Sequence, residues 1–157
     1  METVDTESPA VESPFTSDDV ARLRHAVMRL SKDLRKTAVQ EGLTPTQSSV
    51  LATVVRENEM QLSALAEFEG LNPTMLSRVV ASLEEDDLLQ REKDPIDRRA
   101  FVVRPTTQGR RMMQRLREKR SHQLMQRITS LEESEILQLL RALPALEALA
   151  GIEEGIP

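Results

Sequence analysis

The chain has no cysteine, tryptophan or tyrosine, and only three phenylalanines. The missing thiols exclude disulfide frameworks, redox switching through Cys, and zinc sites built on thiolates. His25 and His122 are the only imidazoles and lie far apart in the sequence, so nothing favours a zinc enzyme. Also missing are a Gly-rich phosphate loop, a Gly-x-Ser-x-Gly elbow and a His-Glu-x-x-His pair. The carboxylates fall in runs suited to solvated faces, and the expectation is a protein that is not an enzyme and carries no cofactor. Apolar runs stay far short of a membrane span. The opening METVDTESPAVESPF is acidic and lacks the basic start and apolar centre of a signal peptide, which points to the cytoplasm. At 157 residues the chain is long enough to bury one ordinary core.

Positive charge is in deficit overall, at a net −5, but its distribution is uneven. Residues 1–20 hold six acids and no base, whereas residues 88–120 hold eleven bases against four acids. Phosphate attraction is screened within about 8 Å at physiological salt, so the local balance governs binding to a polyanion. A single basic block in an acidic chain is a candidate electrostatic footprint for nucleic acid.

The first 17 residues, rich in Pro, Ser and acids, read as a mobile tail. Ser17 with Asp18 and Asp19 supplies capping and dipole chemistry for a helix start. Val20, Leu23, Val27, Leu30 and Leu34 then recur at spacings of three and four, one apolar stripe on a helix closed by Gly42. Thr44-Pro45 opens a second helix with Val50, Leu51, Val54 and Val55 inward. Leu62, Leu65 and Ala66 begin a short third helix ending at Gly70. Asn72-Pro73 opens a fourth, running to about Asp87. The period then changes to that of two strands, residues 88–93 and 100–104, joined by the charged turn Asp94-Pro95-Ile96-Asp97-Arg98-Arg99. Thr106 caps a long helix carrying Met113, Leu116, Leu124 and Ile128. The last helix, with Ile136 to Leu149, should be kinked or divided by Pro144.

Ala66 and Gly70, followed by Leu76 and Val79, are the small and apolar residues that let two short helices pack at a sharp angle. On the fourth helix Thr74, Ser77, Arg78 and Ala81 share a face of small polar residues and one Arg. Such a face fits a major groove about 12 Å wide, with Arg78 able to pair with guanine, although a solvated surface explains it as simply. The basic finger that follows favours DNA: Arg98 and Arg99 at its tip, with Arg91, Lys93 and Arg104 on its strands. A finger of this size tracks phosphates and places an Arg in a narrow minor groove. Asp97 suits a residue that holds an Arg extended.

The stretch Asp97-Arg98-Arg99 through Val103 to Pro105-Thr106-Thr107-Gln108-Gly109 resembles the wing signature of the MarR family of bacterial and archaeal regulators. Leu65-Ala66 through Leu76-Ser77-Arg78-Val79-Val80 to Leu83-Glu84 resembles that family's helix-turn-helix. Pro105 departs from the pattern, standing where Leu is usual. The resemblance spans roughly residues 18–150. It implies a mainly α fold, a winged helix-turn-helix with a small β-hairpin wing and a dimerisation region formed by the N- and C-terminal helices. The implied division is a tail over 1–17, a dimerisation helix over 18–42, the DNA-binding domain over 43–109 and dimerisation helices over 110–157. It implies that Arg99 is the minor-groove residue, Asp97 its positioning partner, and Thr74, Ser77 and Arg78 part of the recognition helix. With Arg91, Lys93 and Arg98 these form the expected DNA-binding set. The implied function is a DNA-binding transcriptional regulator, a repressor acting as a homodimer on a pseudo-palindromic operator. The two apolar stripes independently suggest the dimer, being more apolar surface than a small winged domain needs. Relatives of this kind often respond to a small organic effector; here its pocket would be lined by Leu, Val and Met. The competing expectation is a winged helix that binds protein, which would have no use for Arg98 and Arg99 at the tip.

Overall fold

A computed structural model of the chain describes residues 14–152. The tail expected over residues 1–17 therefore lies mostly outside the described residues. Six helices and three short strands follow in the order α1 (Ser17–Gln40), α2 (Pro45–Glu57), β1 (Met60–Gln61), α3 (Leu62–Glu69), α4 (Pro73–Glu85), β2 (Leu89–Lys93), β3 (Phe101–Pro105), α5 (Thr107–Ile128) and α6 (Glu133–Leu149). The chain divides into two compact units, Met1–Asp33 and Leu34–Pro157, with the boundary inside α1.

Local chemistry accounts for most element ends. The cap of α1 is Thr16 rather than the expected Ser17: its Oγ1 accepts from the Asp19 N–H while the Asp19 carboxylate accepts from the Thr16 N–H and hydroxyl. Thr44 closes a capping box with Gln47, and Asn72 accepts from the Met75 N–H, each followed by Pro at the first helical position. Gly70 ends α3 at φ 63°, where an L side chain is strained. Helix α4 stops at Glu85, two residues before the expected Asp87, which adopts φ 56° as the chain turns toward β2.

The core of the larger unit gathers the apolar faces that the spacing singled out. Val50, Leu51 and Val54 of α2, Leu65 of α3, and Leu76, Val80 and Leu83 of α4 are fully buried, with Val103 of β3 and Leu116 of α5. Two polar clamps brace the helices over this core. Ser49 and Thr53 of α2 donate to Glu69 of α3, and Gln47 of α2 donates to Ser82 of α4 at 3.0 Å.

The sheet has three strands, not the expected two, in the order β1-β3-β2 and antiparallel throughout. Two residues of β1, Met60 and Gln61, pair with Val103 and Val102, joining the start of α3 to the hairpin. So short a strand shows no alternation to detect in the sequence. Pro105 ends β3, and the next donor, Thr106 N–H, reaches the Leu88 carbonyl at 3.2 Å.

Helix α6 is not divided at Pro144; it runs unbroken through that residue. It has no buried residue, and Leu140 is 56% exposed. In the smaller unit the α1 stripe is also largely uncovered, Val20 being 55% exposed. Among the described residues no helix is long and apolar enough to cross a membrane.

Candidate nucleic-acid interface

Two elements present the residues singled out from sequence. On α4, Thr74 and Arg78 are exposed and Ser77 is half-buried, while Leu76, Val80 and Leu83 hold the opposite face in the core. The helix therefore shows a polar surface whose orientation is fixed by packing. Met75 is exposed beside Thr74, an apolar residue on this rim that its hydrophobic character led the sequence reading to pass over.

The hairpin β2–β3 carries the remaining residues. Register pairs Lys93 with Phe101 at the tip and Leu89 with Pro105 at the base. Arg98 and Arg99 sit in the loop beyond Lys93, exposed, and among the described residues Lys93, Arg98 and Arg99 have no acidic partner. Arg91 is less available than its position suggests. Its guanidinium lies 3.5 Å from Glu84 and 5.4 Å from the Phe101 ring centre. Arg104, counted with the basic finger, is held by Glu59 at 2.5 Å and Glu92 at 2.6 Å. Those carboxylates, Glu59 first, raise its pKa, and its charge is compensated within the fold.

The tip is built by a relay of two aspartates. Asp94, only 6% exposed, accepts from the Ile96 N–H at 2.8 Å, the Asp97 N–H at 3.2 Å and the Gln61 side-chain amide at 2.6 Å. Three donors converging on one carboxylate, the Ile96 N–H foremost, hold its pKa below the ordinary aspartate value despite burial. The Asp97 carboxylate in turn accepts from the Arg99 N–H at 3.0 Å. The contact of Asp97 with Arg99 is therefore made to its backbone. Gln61 precedes α3 and makes no cap bond there, its side chain being spent on Asp94. Through Gln61 the loop is tied to the start of the helix pair. Asp94 was missed because a lone Asp before Pro reads as ordinary turn chemistry; only the β1 pairing that brings Gln61 alongside reveals it.

The loop and the helix pair face one another across a groove of about 360 Å³ lined by Leu62, Ser63, Pro73, Arg99 and Phe101. Its wall carries the Arg99 guanidinium and the Asp97 carboxylate among largely apolar side chains. Among the described residues no cluster of His, Asp or Glu is arranged to hold a metal ion.

The polar face of α4 beside an unpaired basic tip is an arrangement for reading one groove of a duplex and gripping the next. Comparison with known proteins agrees with this geometry. The MarR family profile matches residues 43–101, which span α2 through the wing loop. An uncharacterised HTH-type transcriptional regulator of Mycobacterium leprae (strain TN) is 34% identical over 106 residues, covering 68% of this chain and 74% of the relative. The HTH-type transcriptional repressor MdtR of Bacillus subtilis (strain 168) is 23% identical over 138 residues, covering 88% and 89%. Among solved structures, a point mutant of S. aureus MepR bound to an oligodeoxyribonucleotide superposes with a TM-score of 0.67 at 18% identity, covering 88% of this chain and 99% of that one. With the helix pair, the wing and the relatives in agreement, the chain belongs to the MarR family of DNA-binding transcriptional regulators.

Proposed function

We propose that the protein acts as a homodimeric repressor on a pseudo-palindromic operator. Each α4 enters a major groove and each wing reaches the adjacent minor groove. Thr74, Ser77 and Arg78 contact base edges and nearby phosphates. Arg99 enters the minor groove, with Arg98, Lys93 and the less available Arg91 on the flanking backbone, and Asp97 orders the tip. The observation that carries this reading is the wing tip, where Lys93, Arg98 and Arg99 stand exposed and unpaired while neighbouring bases are neutralised. Exposed cations with no acidic partner fit a polyanionic partner. Repression has the support of the MdtR relative, and the oligodeoxyribonucleotide in the MepR structure supports DNA as the partner. Such work is done in the cytoplasm and needs no catalysis.

The dimer has the support of two uncovered apolar surfaces, α6 and the first turns of α1. Contiguous apolar area of this kind is rarely left to water. A small organic effector completes the reading: the Arg120 Nε is buried with no hydrogen-bond partner, although its Nη2 donates to Ser48. A buried charged donor without an acceptor is costly, and an anionic ligand would relieve it.

The test is a salt titration with a duplex selected from random sequence by the wild-type protein. Arg99→Ala should weaken binding and lower the slope of log K against log salt by about 0.9 per protomer. Full affinity and an unchanged slope for the folded variant would overturn the assignment of the wing.

A further inference from the structure

Ile96 is 95% exposed, in the wing loop that also carries Arg98 and Arg99. Nothing in the fold covers it, and an isolated apolar side chain in water is ordinary. Its setting is not. Its N–H is held by the buried Asp94 carboxylate at 2.8 Å, Pro95 restricts the backbone before it, and Arg98 and Arg99 follow two and three residues later in the same loop. The relay that orders Arg99 therefore also fixes the direction in which Ile96 is presented. Every other side chain of the loop has an account: Asp94 and Asp97 organise the backbone, and the arginines attract phosphate.

We propose that Ile96 is an apolar contact residue of the wing, packing against the deoxyribose walls of the DNA minor groove. Sugar edges are the apolar surface that a duplex offers within reach of a tip steered by arginines. Minor-groove proteins present apolar side chains such as Ile and Leu to the duplex, there as wedges between base steps; a single Ile at a loop tip meets the sugar edges first. The contact adds affinity without adding charge. It also favours a groove narrow enough for both walls to be touched, which is a property of A·T-rich steps. This inference rests on the wing reading above, and its experiment separates the two.

Ile96 makes a clean probe, because a residue so exposed contributes little to folding. Binding of full-length Ile96→Ser, Ile96→Lys and Arg99→Ala to the selected duplex would be measured across salt, with melting temperature as a control. The expected result for Ile96→Ser is a loss of about tenfold, ~1.4 kcal/mol, with the salt slope unchanged. Ile96→Lys carries the sharper test. If the tip acts only through charge, an added lysine tightens binding and steepens the slope; apolar packing predicts weaker binding instead. Wild-type affinity in Ile96→Ser, or tighter binding in Ile96→Lys, would overturn the proposal while the Arg99→Ala loss left the wing in place. No loss in any of the three would overturn the wing reading itself. A change in oligomeric state of Ile96→Ser without DNA would assign the residue to a contact between copies and likewise overturn the proposal.

Discussion

Gly109 sits in the first turn of α5, and replacing it with alanine sets two effects of opposite sign against each other. Helix propensity alone favours the alanine by about 1 kcal/mol. The structure opposes it. A Cβ at Gly109 would lie 2.1 Å from the Leu88 carbonyl oxygen and 3.3 Å from a Leu51 methyl. The methyl can yield, but the carbonyl is backbone and is held in place: it accepts from the Thr106 N–H, and the Leu88 N–H is bonded to Leu83 at 2.8 Å. Restoring an ordinary contact of 3.4 Å from 2.1 Å needs a shift of about 1.3 Å between α5 and the base of the wing. Overpacking of this kind costs about 1–3 kcal/mol and occasionally more, and a backbone obstacle belongs at the upper end. Loss of the Thr106 to Leu88 hydrogen bond costs about 1 kcal/mol besides. Set against the propensity gain, the net expectation is a destabilisation of about 3 kcal/mol.

Urea unfolding of wild type and Gly109→Ala, followed by circular dichroism at equal protomer concentration, measures this directly. For a chain of this size, about 2–4 °C per kcal/mol gives a fall in melting temperature of about 6–12 °C. A neutral or stabilised variant would show that α5 and the base of the wing can separate without penalty, and would exclude a rigid junction there. Because β2 begins at Leu89, a strained junction should also displace the wing, so DNA affinity should fall in the fraction that stays folded.

For Arg78→Ala, preference for the selected duplex over random duplex should fall by about tenfold, a guanine pair being worth ~1–3 kcal/mol; an unchanged ratio would remove Arg78 from base reading. Leu140→Glu places a charge on the uncovered face of α6 and should shift sedimentation toward the monomer, with loss of operator binding; an unaltered sedimentation profile would place the dimer contact elsewhere. Asp19, Glu41 and Asp94 have their pKa values lowered, chiefly by hydrogen bonds from Thr16, Lys119 and the Ile96 N–H respectively. A lowered folded-state pKa stabilises above the unfolded value and is lost as pH falls through the folded one, so stability should stay level above about pH 5 and decline below about pH 4; decline beginning near neutrality would show that other groups dominate.

How far the sequence could be read follows from how local each determinant is. Caps such as Thr44-Pro45 and Asn72-Pro73 act over three or four residues, and both emerged at the expected positions. The inward faces of α2, α3 and α4 came from helical period alone. What escaped was made by contacts between distant segments. Strand β1 exists because Met60 and Gln61 meet β3 some forty residues later, and Asp94 becomes a buried hub only when Gln61 arrives beside it. Pro144 was expected to kink or divide α6, and the helix is not divided there. Its missing donor leaves one carbonyl a turn earlier unpaired, and on a helix with no buried residue water can satisfy that group.

The basic block is where counting along the chain misled most. Its eleven cations looked like one footprint, and the fold disperses them. Arg104 is locked between Glu59 and Glu92, Arg91 leans on Glu84, Lys119 pairs with Glu41, and Arg110 and Arg120 donate to Asn58 and Ser48. The loop and the start of α5 lie at opposite ends of β3, about 15 Å apart at ~3.3 Å per residue. That distance exceeds the screening length, so charge on α5 does little for a phosphate at the tip. Among the described residues, the wing cations left without an acidic partner are Lys93, Arg98 and Arg99, the ones proposed to meet phosphate. What sets them apart is that they are unpaired, and that the Asp94–Asp97 relay orders the loop backbone up to Arg99, rather than their number. A net charge of −5 is compatible with DNA binding for the same reason: the groups proposed to carry it are few and close together in the chain.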